Sequence, residues 1–267
     1  MRIGIAGIGA VGSAVARALD RGEIPGCELA AIAARDEGRA VLFISSLSRR
    51  VPHRSLSGLA QDCDIVLEAL PPAMFEAVAL PTLAAGKTLV AMSASQLLGR
   101  EDLIELGRAA GGRIVVPSGA MLGLDALKAV AVGSIRKVSI VTRKPPISLL
   151  TAPYILRTGI DLDGIKDAVC ILKGSVTEIA REFPANVNVA AAVSLAGLGP
   201  DRTLMEIWAD PRLTMNTHTV CVQSDSSDFS VSIQNRPSYE NPATGRITSQ
   251  SVIAYLRQFS SVVRIGT

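Results

Sequence analysis

The first twelve residues constrain the fold of this chain more than any other segment. Arg2–Ala6 is a short apolar run that predicts a buried strand, and from Ala10 onward apolar residues recur with helical spacing. Between them lies the pattern Gly7-x-Gly9-x-x-Gly12. In such a strand–turn–helix unit the first glycine makes the tight turn. The second lets the backbone approach a pyrophosphate, and the third lets the helix pack closely on the strand.

The start of the predicted helix supplies the rest of a nucleotide site. The N–H groups of a first helical turn have no partner within the helix, and the helix dipole makes this end positive. The pyrophosphate of a dinucleotide would lie against Gly9 and the backbone of Ala10, Val11 and Gly12. A tight turn without a ligand is the alternative, but the strand before it and the helix after it favour the nucleotide site.

Composition limits the class of protein. The chain has 267 residues, enough for one large or two modest domains, and it is 48% hydrophobic and 19% charged, which allows a sizeable core. A net charge of +3, aromatic residues at 3% and the lack of a basic run argue against a nucleic-acid partner. No stretch approaches the roughly 18 apolar residues of a membrane helix, so no membrane partner is expected.

The cysteines and the N-terminus bear on the compartment. Cys27, Cys63, Cys170 and Cys221 are scattered without the spacing of a metal site, and no metal is expected. A strand that begins at residue 2 leaves no room for a signal peptide. We therefore expect reduced thiols and a cytoplasmic protein.

Strands and helices alternate up to Val116. After the first strand and helix, the pattern predicts strands at Glu28–Ala34, Asp64–Ala69, Lys87–Met92 and Arg113–Val116, and helices at Glu37–Ser46, Ala73–Ala85 and Glu101–Ala110. This alternation is typical of an α/β fold with a doubly wound parallel sheet, a Rossmann domain. Ligands of such sheets bind at the carboxyl ends of the strands.

The pattern changes after Pro117. The segment Ser118–Leu127 is expected to be a turn that leads into a helix, and further helices are predicted at Val176–Glu182, Val187–Ala196 and Ser249–Phe259. Strands are predicted at Val138–Thr142, Thr203–Ala209, Thr217–Gln223 and Phe229–Gln234. Because these strands cluster together, a second α+β domain with a largely antiparallel sheet is expected. We expect a dinucleotide-binding domain at 1–118, a substrate and oligomerisation domain at 119–242, and a C-terminal helix within 243–267 that packs on the first domain.

The residue after the second strand bears on the choice of cofactor. An acidic residue here would favour NAD, but the chain has Arg35, followed by Asp36. The guanidinium of Arg35 could bind the 2′-phosphate of NADP through two hydrogen bonds. A solvated Arg35 with Asp36 turned to the ribose is an equal alternative, so the cofactor is NAD or NADP.

Few side chains offer proton-transfer or anion-binding chemistry. Of the two histidines, His53 is expected at the surface, whereas His218 begins a strand of the second domain. An imidazole titrates near neutrality and can give or take a proton, but a structural histidine bonded to backbone is the commoner use. Asn188, close to Asn186, could cap a helix or meet a carboxamide or carboxylate. Arg143 and Lys144 precede two prolines and could bind an anion or form a solvated turn.

Several blocks taken in order give the chain a resemblance to the L-aspartate dehydrogenase family. Besides the glycine pattern, they are Pro117-Ser-Gly-Ala120 with Gly123-Leu-Asp125, Thr142-Arg-Lys-Pro-Pro146, Phe183-Pro-Ala-Asn-Val-Asn-Val-Ala-Ala191, Ala209-Asp-Pro211, Asn216-Thr-His218 and Asn235-Arg-Pro-Ser-Tyr-Glu-Asn-Pro242. One departure is Ala243-Thr-Gly-Arg246, where the family more often shows Thr-Ser, outside the expected site.

The resemblance implies an activity and several site residues. The implied reaction is the NAD(P)-dependent interconversion of L-aspartate and iminosuccinate, which hydrolyses to oxaloacetate and ammonia and feeds NAD synthesis; the implied assembly is a homo-oligomer. The family's catalytic histidine falls on His218, and its nicotinamide contacts fall on Ala120 and Asn188. Lys144 and Asn216, besides Asn188, are candidates to bind the substrate carboxylates. A homoserine- or hydroxyacid-type dehydrogenase, or a nucleotide-sensing protein without catalysis, are the alternatives.

Overall fold

The computed structural model describes residues 1–184, 187–238 and 244–266, which form two units. The first unit comprises Met1–Gly119 and Ile247–Ile265, and the second comprises Ala120–Arg246. The expected boundary between residues 242 and 243 lies outside the described residues. None of the helices in the described ranges combines the length and the hydropathy needed to cross a bilayer.

The first unit is built on a parallel sheet, as predicted. Its five strands lie in the order β2-β1-β3-β4-β5, and every neighbouring pair is parallel. The elements are β1 (Arg2–Ala6), α1 (Ala10–Asp20), β2 (Glu28–Ala33), α2 (Glu37–Ser45), β3 (Ile65–Glu68), α3 (Glu76–Ala84), β4 (Thr88–Ala91), α4 (Glu101–Ala110) and β5 (Arg113–Val115). The strands are nearly continuous apolar runs because both faces of such a sheet are covered.

A helix from the C-terminal part of the chain completes the first unit. α9 (Arg246–Arg257) buries Val252 and Leu256 in the core cluster that also contains Ile3 and Ile5 of β1 and Val15 of α1. Arg257 adds a hydrogen bond from its Nε to the carbonyl oxygen of Glu23 at 2.9 Å. The apolar face of α9 is thus part of the core of the first unit.

The second unit contains a mixed sheet in the order β10-β9-β6-β8-β7. Among the described strands of this second sheet, only the neighbours β6 and β8 run parallel, so the expectation of a largely antiparallel sheet is confirmed. The elements are α5 (Leu124–Val130), β6 (Ile135–Lys144), α6 (Pro153–Thr158), β7 (Val169–Ser175), α7 (Val176–Glu182), α8 (Asn188–Ala196), β8 (Thr203–Ala209), β9 (Asn216–Ser224) and β10 (Asp228–Asn235).

The sequence patterns do not predict two elements of the second unit, α6 and β7. α6 has only six residues and begins with a proline, too short for a helical repeat of apolar residues. β7 pairs with β8 through an irregular register between Cys170 and Leu172, which interrupts the alternation of buried and exposed residues.

Candidate active site

The glycine turn lies at the carboxyl end of β1, as predicted. Gly7 has φ +98°, and an added Cβ would overlap the carbonyl oxygen of Ala69. A Cβ on Gly12 would overlap the carbonyl oxygen of Gly7. The positive φ and the nearby backbone of Ala69 therefore demand glycine at position 7, and the close packing of α1 on the turn demands it at position 12, whether or not a ligand binds.

Gly9 differs from both, because no described residue other than Gly9 itself and its two chain neighbours lies within 4 Å of the position that its Cβ would occupy. Gly9 precedes α1 in extended backbone, and no side chain caps the helix there. The space over Gly9, the backbone of Ala10 and Val11 and the positive helix end suit a pyrophosphate. The residues present thus fit a dinucleotide, as the glycine pattern indicates.

Arg35 and Asp36 have different surroundings after β2. Asp36 is the N-cap of α2, and its Oδ1 accepts a hydrogen bond from the N–H of Arg39 at 2.9 Å. Arg35 is exposed. The capping bond occupies one oxygen of the carboxylate that would otherwise turn to a ribose. The choice between NAD and NADP stays a prediction that depends on Arg35.

A buried carboxylate joins the carboxyl ends of β3 and β4. Glu68 is fully buried and accepts hydrogen bonds from the N–H of Leu70 at 2.9 Å, the N–H of Ser93 at 3.0 Å and the hydroxyl of Ser93 at 3.0 Å. Burial raises the pKa of Glu68, and these hydrogen bonds oppose that shift. The sequence analysis did not single out Glu68, although an acidic residue at the end of an otherwise apolar strand can be recognised from the sequence.

In the second unit, Thr142 of β6 lies directly opposite His218 of β9. Thr142 Oγ1 and His218 Nδ1 are 3.0 Å apart, and both side chains are buried. Lys144 lies two residues beyond Thr142, on the same face of the sheet, and is also buried. The expected backbone partner is wrong for this ring nitrogen, which contacts a hydroxyl side chain, and the catalytic role of His218 stays a prediction.

Burial changes the titration of both basic groups. The pKa of His218 falls from 6.5 to about 4, because burial disfavours the imidazolium and the neighbouring charge of Lys144 adds to the effect. Burial also lowers the pKa of Lys144 to about 8. The expectation that His218 titrates near neutrality is therefore wrong for the folded chain, in which the imidazole is neutral at pH 7.

Arg143 and Lys144 lie on opposite faces of β6. The guanidinium of Arg143 stacks on the ring of Trp208 at 4.7 Å and lies 3.5 Å from the carboxylate of Asp210. The solvated-turn alternative is wrong for Lys144, because it ends a strand and is 7% exposed. Of these two basic residues, only Lys144 lies on the face of the sheet that carries His218.

Three further residues, Ala120, Asn188 and Asn216, were expected to contact the nicotinamide or the substrate. The carbonyl oxygen of Ala120 accepts a hydrogen bond from Asn235 Nδ2 at 2.9 Å, and Asn235 pairs in register with Asn216. The N-cap of α8 is Val187 and makes no side-chain capping bond, so the capping alternative for Asn188 is wrong. Asn186 lies outside the described residues, and the roles expected of Ala120, Asn188 and Asn216 stay predictions.

His53 is less exposed than expected, since its side chain is 23% accessible and its Nδ1 lies 3.8 Å from a carboxylate oxygen of Glu37. It forms an isolated bridge with Ile32, an edge contact of the first sheet. Thr142 and Asn235 were not singled out in the sequence. Their signal was the strand register, which requires knowing which strands are neighbours.

A glycine turn of this kind on a parallel sheet, followed in the same chain by a mixed-sheet domain, is an architecture found in NAD(P)-dependent dehydrogenases, and the similar proteins place the chain in that class. Residues 7–117 match the NAD-binding domain model of homoserine dehydrogenase, and residues 125–259 match the C-terminal domain model of aspartate dehydrogenase. The chain belongs to the L-aspartate dehydrogenase family.

Similar proteins cover the whole chain. L-aspartate dehydrogenase 3 of Bordetella bronchiseptica is 47% identical over 99% of this chain and 97% of its own length. L-aspartate dehydrogenase of Bradyrhizobium diazoefficiens is 45% identical over 100% and 94%. The crystal structure of aspartate dehydrogenase from Thermotoga maritima matches with a TM-score of 0.74 and 26% identity, over 100% of this chain and 99% of that one.

Proposed function

We propose that this protein is an NAD(P)-dependent L-aspartate dehydrogenase that interconverts L-aspartate and iminosuccinate. The observation that carries the proposal is the buried pair of Thr142 and His218 beside Lys144, in a chain 47% identical to a protein named L-aspartate dehydrogenase 3. A sensor of nucleotides would need the glycine turn but no such cluster in its second domain.

Oxidation breaks the bond between the α-carbon of aspartate and its hydrogen. NAD(P)⁺ bound at the glycine turn would supply the acceptor for that hydride. With the hydride gone and one proton of its ammonium group released to solvent, the substrate would be a protonated imine. In the proposed role, His218 accepts a proton from the water that adds to the imine carbon and returns it to the nitrogen. The ring then takes the proton of the remaining hydroxyl as ammonia leaves and the carbonyl of oxaloacetate forms. In the reductive direction the same ring moves these protons in reverse.

The two carboxylates of aspartate need partners that donate hydrogen bonds or carry positive charge. Lys144 suits one of them, because a pKa of about 8 leaves its ammonium mostly charged at pH 7 and burial strengthens its attraction to an anion. Asn188 and Asn216 are candidates for amide donors.

The test is a panel of substrates with both cofactors. L-aspartate, L-malate, L-homoserine and L-glutamate are compared at equal concentration, with NAD and with NADP, by the absorbance of the reduced cofactor. We expect aspartate to be oxidised well above the others with at least one cofactor. A preference for malate or homoserine would replace the proposal with another dehydrogenase, and no turnover on any amino or hydroxy acid would favour the sensor.

We also propose that the iminosuccinate can feed NAD biosynthesis. The support is the family resemblance, which implies that iminosuccinate feeds the synthesis of quinolinate and hence of NAD. Because water hydrolyses iminosuccinate, the enzyme that uses it must bind it before that hydrolysis. Expression in a bacterial nicotinate auxotroph that lacks aspartate oxidase should restore growth without nicotinate. Failure of the active protein to restore growth would contradict this role.

We propose that the protein forms a homo-oligomer through the outer face of the second sheet, the face opposite to His218. This face carries the 42% exposed Leu204 and the partly buried Trp208 with the Arg143 guanidinium stacked on it. Apolar residues exposed together on a sheet often mark an interface between chains. Light scattering after size exclusion should give a multiple of the chain's 27.9 kDa, and Leu204→Arg should lower that mass. A monomeric wild-type protein would contradict the proposal.

We place the enzyme in the cytoplasm. The support is that Cys27, Cys63, Cys170 and Cys221 are all free thiols, with the last two exposed. Exposed thiols persist in a reducing compartment. Fractionation of cells that express the protein should recover it with cytoplasmic markers, and recovery with periplasmic or membrane markers would contradict this location.

A further inference from the structure

The hydrogen bond between Thr142 and His218 fixes one side of the imidazole ring. Thr142 Oγ1 lies 3.0 Å from Nδ1, and Thr142 is 1% exposed while His218 is 5% exposed. Because the strands place these residues directly opposite each other, the contact is held by the sheet itself. Nε2 is the ring nitrogen that this contact leaves for the substrate.

The chemical nature of the partner matters. When Nε2 takes and gives the proton, Nδ1 keeps its hydrogen in both the neutral and the imidazolium form and donates in both. An ammonium partner could not accept this hydrogen bond, whereas the Thr142 hydroxyl oxygen can accept it in both forms. The hydroxyl can therefore hold the ring in one place while Nε2 changes its protonation state.

The neutrality of the hydroxyl has a second consequence. An anionic partner would stabilise the imidazolium and raise the pKa of the ring. The buried hydroxyl adds no charge, and the nearby charge of Lys144 acts in the opposite sense. The ring therefore remains neutral at pH 7, which is the form that can accept a proton.

We propose that Thr142 is a positioning residue for His218, whose hydroxyl holds Nδ1 so that Nε2 alone exchanges protons with the substrate. The proposal rests on the role of His218 proposed above. Thr142 itself does not touch the reacting atoms. The sequence offered it only as part of a family motif, and the strand register is what pairs it with the histidine.

The first experiment reads the ring directly and requires no turnover. The chain has only two histidines, so long-range ¹H–¹⁵N spectra of ¹⁵N-histidine protein contain two ring systems, which a His53→Gln variant assigns. At pH 7 we expect the His218 ring to be neutral and in a single tautomer. Averaging of the His218 nitrogens between two tautomers in the wild type would overturn the proposal.

The second experiment compares Thr142→Val, which keeps the shape and loses the hydroxyl, with Thr142→Ser, which keeps the hydroxyl. Loss of one buried hydrogen bond should lower kcat about tenfold in the valine variant, with the KM for aspartate and the Kd for NAD(P)H changed less than twofold. The serine variant should recover most of kcat, and the His218 signals should average only in the valine variant.

The outcomes separate the two proposals. Normal kcat in a folded Thr142→Val variant would reduce Thr142 to a structural role and overturn the inference. If the valine variant does not fold, a serine variant with tenfold lower kcat would overturn it as well. If the wild type does not oxidise aspartate but its spectra show the fixed ring, the proposed function fails while the positioning of His218 by Thr142 stands.

Discussion

The two units build their candidate sites from different materials. In the first unit the nucleotide region is made of backbone: a turn held tight at Gly7 and Gly12, open space over Gly9, and a helix end without a side-chain cap. In the second unit the candidate catalytic region is made of side chains, Thr142 and His218, which are 76 residues apart in the chain. The nucleotide region is formed by residues close together in the sequence, whereas the candidate catalytic region depends on the register between β6 and β9.

This difference determines how each region can fail. A backbone site is sensitive to any added side-chain atom but indifferent to side-chain chemistry nearby. A site built on register is sensitive to pairing, because a shift by one residue would move His218 to the opposite face of its sheet. Substitutions in the two regions should therefore affect different measurements.

The largest expected effect is on turnover, from the side-chain region. In the proposed role, His218→Ala removes the group that moves protons during imine hydration, and turnover with aspartate should fall by ~10²–10⁴. His218→Asn keeps much of the shape but cannot accept a proton, so it should be nearly as poor. Steady-state rates measure both variants.

The control for this prediction is cofactor binding. Both variants should bind NAD(P)H as the wild type does, measured by fluorescence titration, because the glycine turn is unchanged. Near-normal aspartate oxidation by His218→Ala would remove the residue from the mechanism. Loss of folding in that variant would instead assign His218 a structural role.

The next effect is on cofactor affinity, from the backbone region. Gly9→Ala adds a methyl group in the open space that a pyrophosphate would occupy, and overpacking of about 1–3 kcal/mol corresponds to a roughly 5- to 150-fold weaker Kd for NAD(P)H. Its Tm should stay near that of the wild type because the methyl meets no protein atom.

Gly12→Ala is the matched contrast, since its methyl would overlap the carbonyl oxygen of Gly7 and should lower Tm as well as binding. Titration of NAD(P)H fluorescence and thermal unfolding measure the two quantities. Unchanged binding by a folded Gly9→Ala variant would show that the pyrophosphate does not lie at this turn.

The same contrast explains what the sequence could predict. The bounds of β1, α4, α7 and β8 match those expected, because apolar spacing, caps and glycines are local signals. The glycine turn was also local. The burial of Lys144 was not predictable, since two prolines after it suggest a turn while the sheet continues to that residue. Likewise, Thr142 becomes a partner of His218 only once β6 and β9 are known to be neighbours.

A smaller effect concerns which cofactor the backbone site accepts. If the Arg35 guanidinium binds a 2′-phosphate, Arg35→Ala should raise the KM for NADP and spare NAD. Loss of a charge-assisted contact of about 1.5–3 kcal/mol corresponds to roughly a tenfold to hundredfold change. Arg39→Ala is the matched control, because that residue is also exposed and its N–H would still cap Asp36. Equal effects of Arg35→Ala on both cofactors would show that Arg35 does not distinguish them.

The smallest expected effect is on stability in acid and arises from burial in the second unit. The folded pKa of His218 is about 4, below its ordinary 6.5, so between these values the unfolded chain binds more protons and stability falls as the pH drops. From pH 7 to 5.5 this costs about 1 kcal/mol. Urea unfolding should show that His218→Gln loses about 1 kcal/mol less than the wild type over this interval. An equal loss in both proteins would show that His218 titrates alike in the folded and unfolded chain, and the description of a buried, neutral ring would be wrong.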